Sequence, residues 1–387
     1  MFAPFPGLRF DPAIVGDVAA ATSPPYDVID AALRAELEAS SPYNMAHILL
    51  PDEADPDYAT RAELFSSWID SGALRRDPDS YYVYELSYED RAGLHRTGRG
   101  VLGSLAVMEF GDRILPHEET MAKHTTDRLA NLTAMDGNLD VILALSSSPD
   151  LASAIEPNGP PALSFDAAGV EHRLYPITDA ERIAEITRAA AGGAVSIADG
   201  HHRYTTALTY QAARDGHGGW DSILTLLAPT SGSGFTVGPY HRTFSRWRLD
   251  PNVLHTAFDV SPTTDVLPAR PGDIVVVPHL GGALLLSPRP EAIANLPQPW
   301  QDASAAVARE VLYPLLEVTE ADADYVSDDA DAVSRARAGS GGGAILVAPV
   351  TEDAIAAASE AGVRFPQKTT FFVPKPRAGL VIRTFST

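Results

Sequence analysis

Ala194-Val-Ser-Ile-Ala-Asp-Gly-His-His-Arg-Tyr-Thr-Thr-Ala-Leu208 is the stretch around which the chain is organised. It opens as a short apolar run (Val195, Ile197, Ala198) that reads as a buried strand, and it turns at Asp199-Gly200. A helical pattern then runs to the region of Asp215 and stops at Gly216. This strand–turn–helix places His201, His202 and Arg203 in the first helical turn. Free backbone N–H groups and the positive end of the helix dipole already favour an anion there. Gly200, His201, His202 and Arg203 are therefore candidate phosphate ligands. The plainer reading makes Asp199 a turn residue and leaves the histidines satisfied locally. Crowding such groups is costly unless they are paired or used, which favours a site.

Reading outward, Ala180 to Ala191 is an expected helix closed by Gly192-Gly193. Strands are expected at Tyr81–Tyr88, Val101–Met108, Leu139–Ser146 and Ile223–Ala228, with Gly93 and Gly98 to Gly100 marking a turn. Asp30 caps a helix from Ala31 to about Ala39, and Tyr58 to Gly72 forms another. Phe165 to Tyr175 reads as a hairpin around Gly169. Further on, Asp273–Pro278 and Ala283–Ser287 form a hairpin, and Ala303–Leu316 a helix. Gly339 to Gly343 precedes its strand (Ala344–Ala348) and lacks the Gly-Lys-Ser/Thr ending of a phosphate loop, so it reads as a linker. Thr351 caps a helix ending near Gly362. The expected class is α/β, of the mixed α+β kind. Three parts are expected: 1–150, 160–260 and 261–387, the first and last each contributing to the site.

The 387 residues are enough for a large core, and 45% hydrophobic with 21% charged residues suits a globular chain. The formal net charge of -22 opposes general binding to nucleic acid or an anionic membrane, so neither is an expected partner. There is no cysteine, which excludes disulfides, zinc–thiolate sites and thiol nucleophiles. Met-Phe-Ala-Pro-Phe-Pro at the start does not resemble a signal peptide, and no apolar run approaches a membrane span. A cytoplasmic protein is expected. Lysine occurs only at Lys123, Lys368 and Lys375 in a chain that otherwise uses arginine, which points to positions where a compact ammonium matters.

Those lysines fall in segments that carry other chemistry. Ile114 to Leu129 holds His117, Glu118, Glu119, Lys123, His124, Asp127 and Arg128, with Pro116 making 117–120 a turn into a helix. An ion pair between Glu119 and Lys123 is one reading; a general base, metal-ligand oxygens and phosphate donors is the other. Pro24-Pro25-Tyr26-Asp27 is a constrained turn that aims Tyr26 and Asp27. His241-Arg242 is a second basic pair. The tail from Phe365 to Leu380 is held extended by prolines, so Lys368 and Lys375 can reach one place.

These motifs, in order, resemble the family known as domain of unknown function 1015: Pro25-Tyr26-Asp27, His117-Glu118 with Thr120, Asp127-Arg128, Ala198 to Tyr204, Pro239 with His241-Arg242, and Pro366, Lys368, Thr370, Pro374-Lys375 and Gly379-Leu380. Phe365 and Thr369 stand where methionine and serine are usual. The Asp-Gly-His-His-Arg segment also resembles the phosphate-binding box of ParB-like domains and their free-serine kinase relatives. That resemblance implies a ParB-like core with additional mixed-sheet elements, and a nucleotide-dependent kinase of small molecules with free L-serine as a candidate acceptor. On this reading Glu118 or Asp199 accepts the hydroxyl proton, and Mg²⁺ accompanies ATP or another nucleotide. Arg128, Lys368 and Lys375 complete the phosphate cradle, and Tyr26, Asp27, His241 and Arg242 face the acceptor. Asp199, Glu118 and His117 are candidate metal ligands. A metal-dependent phosphohydrolase and a nucleotide-binding switch without turnover are the alternatives. The oligomeric state is left open.

Overall fold

The computed structural model describes residues 2–386 except Glu53, Asp112, Thr120, Met121, Ala269 and Ser340. The side chains of residues 122–125, and with them Lys123 and His124, lie outside the described residues, as does Thr120. The chain is mixed α/β and divides into two compact units. One comprises residues 1–116, 120–235 and 374–387; the other comprises 117–119 and 236–373.

The first unit is built on a nine-stranded mixed sheet. In spatial order its strands are Ile114–Pro116, Val195–Asp199, Ile142–Ser146, Ser222–Pro229, His95–Ala106, Tyr81–Glu89, Val170–Ile177 and Leu163–Ala167, with Phe2–Ala3 beside His95–Ala106. Val195–Asp199 runs parallel to Ile114–Pro116, and Ser222–Pro229 runs parallel to Ile142–Ser146; the other pairings are antiparallel. Strands covered on both faces read as continuous apolar runs, and Ile142, Leu143, Ala144, Leu224, Leu226 and Leu227 are buried accordingly. The helix His201–Ala212 follows directly on the strand that ends at Asp199 and buries Tyr204, Ala207 and Tyr210.

Gly98 and Gly100 do not turn the chain; they lie inside the strand His95–Ala106, and the reversal is made at Asp90 and Gly93. The reason is close packing. A Cβ on Gly98 would meet the Phe235 ring at 3.2 Å, and one on Gly100 would meet Leu226 Cδ1 at 2.8 Å. The expected hairpin at Gly169 is present, with Ala168 and Gly169 both at positive φ (50° and 75°), the backbone of a tight two-residue connection.

The second unit carries a six-stranded antiparallel sheet in the order Phe258–Thr263, Ala283–Pro288, Ile274–Pro278, Gly343–Val347, His241–Phe244, Ala323–Val326. Thr236–Gly238 pairs separately with Phe371–Val373. Residues 304–316 are helical as expected, but 308–312 widen into a π-helix between two short α segments. Residues 117–119 are extended instead of turning into a helix. Phe365 bridges them, its N–H donating to His117 O (2.7 Å) and its carbonyl accepting from Glu119 N–H (2.9 Å). The helix that follows begins at Ala122. Glu119 pairs with Arg309 at 2.6 Å.

Candidate functional site

In the first unit, Asp199 ends its strand and Gly200 takes a left-handed backbone (φ 94°) that starts the helix His201–Ala212. A Cβ on Gly200 would lie 2.6 Å from Ile142 Cγ2, so glycine is required both by the backbone and by the space. Among the described residues no side chain caps this helix. His201 is buried within the first turn and His202 is half-buried.

Arg203 is turned back towards carboxylates. Its Nη1 lies 2.7 Å from Asp140 Oδ1 and donates to Val141 O (2.5 Å), while its Nη2 donates to Asp199 Oδ2 (2.7 Å). Burial opposes its charge, but Asp140, Asp199 and Asp27 outweigh burial and raise its pKa. Asp199 has a second cation: Lys375 Nζ donates to Asp199 Oδ1. The tail reaches this point because Arg377 is buried against the N-terminal segment. Its Nε donates to Thr22 Oγ1 (2.7 Å) and its Nη2 to Thr22 O (2.6 Å) and Ala19 O (3.2 Å). Ala378 and Ser23 bridge alongside.

Tyr26 and Asp27 form a 3₁₀ turn after the two prolines. The Arg128 guanidinium stacks over the Tyr26 ring at 4.0 Å from its centroid, a cation–π contact. Arg128 is itself fixed by Asp127 (Nε to Oδ2, 2.9 Å), Leu49 O (3.0 Å) and Tyr58 Oη (2.9 Å). Burial, then the charge of Asp27, pushes the Tyr26 phenol above its ordinary range. Tyr26, Arg128, Asn131, Asn138, Asp140 and Arg203 line one small pocket, with a cavity volume of about 50 Å³.

The structure therefore brings together Tyr26, Asp27, Arg128, Asp199, Gly200, Arg203 and Lys375, all in the first unit. Asp140 belongs with them and was not singled out from sequence. It lies inside the strand expected over Leu139–Ser146, and no motif marks it.

His117, Glu118, Lys368, His241 and Arg242 lie in the second unit. Glu118 Oε1 accepts from Thr369 N–H (3.1 Å), Thr370 N–H (2.7 Å) and Thr370 Oγ1 (2.6 Å). His117 is fully buried, with Nε2 2.8 Å from Thr370 Oγ1. Arg242 is also fully buried. It donates through Nη1 to Tyr240 O and through Nη2 to Lys368 O (3.1 Å). Lys368 has a left-handed backbone (φ 53°), and its Nζ lies 4.7 Å from the Tyr240 ring centroid. His241 Nε2 meets Asp329 Oδ1 at 2.6 Å, and its Nδ1 accepts from Val347 N–H. Among the described residues, no three His, Asp or Glu side chains are grouped to hold a metal ion. No helix among them is long and apolar enough to cross a membrane.

No curated protein matches the chain by sequence. Similar solved structures are distant. A free serine kinase in complex with AMP has 14% identity and a TM-score of 0.39, covering 70% of this chain and 86% of that one. SbnI with a C-terminal truncation, from Staphylococcus aureus, has 10% identity and a TM-score of 0.39, covering 72% and 85%. A conserved hypothetical protein from Pyrococcus furiosus has 13% identity and a TM-score of 0.39, covering 73% and 98%. A family model described as protein of unknown function (DUF1015) matches residues 2–304, well over half of the chain, and the chain belongs to that family.

Proposed function

We propose that the chain is a nucleotide-dependent kinase of a small hydroxyl compound, with free L-serine the first acceptor to test. One observation carries the reading: a carboxylate, Asp199, is held between Arg203 and Lys375 at the uncapped start of the helix His201–Ala212. Phosphoryl transfer needs little from a protein beyond positioning and charge neutralisation. The helix start, which no side chain among the described residues caps, and Lys375 receive the phosphates. Asp199 accepts the acceptor's hydroxyl proton as the new P–O bond forms and the bond to the departing nucleotide breaks. Arg203 acts as a positioning residue, since its donors are spent on Asp199, Asp140 and Val141.

The hard oxygen donors of Asp199 suit Mg²⁺, which takes one or two carboxylates together with substrate phosphates and would supply charge neutralisation when bound. Glu118 serves in this reading as the clamp of Thr369 and Thr370.

The test is incubation with ATP or ADP, Mg²⁺ and a panel of hydroxyl compounds that includes L-serine. A phosphorylated acceptor formed one-for-one with the shortened nucleotide supports the kinase. Inorganic phosphate released without regard to acceptor, or nucleotide binding with neither product, overturns it.

A further inference from the structure

Asp140 lies just before the strand Ile142–Ser146, with its side chain 7% exposed. Its Oδ1 is fully engaged, accepting from Val141 N–H (2.7 Å) and facing Arg203 Nη1 (2.7 Å). Its Oδ2 is buried and has no hydrogen-bond partner among the described residues. A buried carboxylate oxygen left without a donor carries a desolvation cost, so its presence calls for an explanation. Asp140 lines the pocket with Tyr26 and Arg128.

The charges around the pocket indicate what kind of donor is missing. Asp27, Asp127, Asp140 and Asp199 outnumber Arg128, Arg203 and Lys375. Burial raises the Asp140 pKa even against Arg203, so the ionised form gains from one further cation. At the other side, Arg128 commits Nε and Nη2 to Asp127, Leu49 and Tyr58, while Nη1 donates to none of the described residues. Among the described residues the pocket thus offers an acceptor that lacks a donor and a donor that lacks an acceptor.

We propose that this pocket takes a small molecule bearing a primary ammonium group, with Asp140 Oδ2 as the acceptor and Arg128 Nη1 facing the ligand's anionic end. The proposal rests on the kinase reading only in identifying this ligand with the phosphate acceptor. Asp140 selects for the ammonium, and a ligand that carries a hydroxyl in its place leaves the buried charge uncompensated.

Calorimetric titration without nucleotide tests it, using matched probes in which hydroxyl replaces ammonium: L-serine against L-glycerate, and ethanolamine against ethylene glycol. L-Serine is expected to bind the wild-type protein and L-glycerate about tenfold to a hundredfold more weakly, the scale of one charge-assisted hydrogen bond. Ethanolamine, without the anionic end, is expected to bind more weakly than L-serine. Asp140→Asn is expected to lose a similar factor for L-serine and none for L-glycerate. Absence of L-serine and ethanolamine binding, equal affinity within each pair, or unchanged L-serine binding by Asp140→Asn overturns the proposal. Should Asp140→Asn not fold, the matched pairs on wild-type protein decide alone. Failure of the kinase reading is seen separately, as discrimination between the probes without phosphate transfer.

Discussion

Lys375 Nζ donates to Asp199 Oδ1 across a sequence separation of 176 residues, so the tail contributes a cation to the strand end that opens the helix His201–Ala212. Side-chain exposures of 10% and 14% make the pair strongly dependent on each other, because water screens them little. Lys375→Met is expected to destabilise the protein by about 2 kcal/mol, less than for a fully orphaned buried charge because Arg203 still pairs with Asp199. Urea unfolding measures this. The same variant should weaken binding of ATP or ADP in calorimetric titration, and unchanged affinity removes Lys375 from the phosphate site.

Arg203 joins Asp140 and Asp199 through two different Nη atoms. Arg203→Ala leaves both carboxylates short of a cation and is expected to cost about 3–5 kcal/mol. Arg203→Lys should recover only part of this, since an ammonium cannot span both carboxylates and Val141 O in the planar geometry of a guanidinium. Equal stability of Arg203→Lys and wild type in denaturant titration contradicts the bridging role.

Gly200→Ala combines a positive φ with a contact of 2.6 Å between the new Cβ and Ile142 Cγ2. A loss of about 1–3 kcal/mol is expected, with reduced nucleotide binding because the helix start shifts. The corresponding change at Gly169, where a Cβ meets nothing within 4 Å, should cost less than at Gly200. A ranking in the opposite order speaks against the close approach.

His172 is buried between Phe165, whose ring centroid is 5.0 Å away, and Tyr84, whose Oη is 2.7 Å from Nδ1. Burial, and then the charge of Arg377, pushes its pKa down to about 3. The folded protein therefore holds His172 neutral while the unfolded chain takes up a proton below about pH 6.5. Its contribution to stability is full above that pH and is lost as pH falls towards 3. His172→Gln is expected to flatten the fall in unfolding free energy between pH 6.5 and about pH 4. Parallel curves for variant and wild type over that window refute the assignment.

Glu118 anchors three donors of Thr369 and Thr370 through one carboxylate oxygen. Glu118→Ala is expected to cost about 2–4 kcal/mol, since buried N–H groups lose a charged acceptor, and to raise amide exchange at 369 and 370. Unaltered exchange there shows that the segment is held by other means.

Several parts of this fold were legible in the chain because their signals are local. Asp30 and Thr351 cap their helices as their spacing predicts, accepting from Leu33 and Ala354 N–H. Asp199-Gly200 ends a strand and starts a helix because glycine alone takes that backbone readily. The scarcity of lysine singled out Lys375, which does meet Asp199. Gly98 and Gly100 resemble turn residues in the sequence but lie within a strand, because a glycine needed for packing looks the same in sequence as one needed for φ. Pairing decided the rest. Strand Ile142–Ser146 lies between Val195–Asp199 and Ser222–Pro229, and that register sets Asp140 beside Arg203. Arg203, expected from its motif to face phosphate, is thereby drawn onto two buried carboxylates. Sequence alone determined which residues carry charge at the head of the helix. Only the tertiary structure decided which charges meet, because the low dielectric of a buried cluster binds whichever opposite charges the sheet brings within reach.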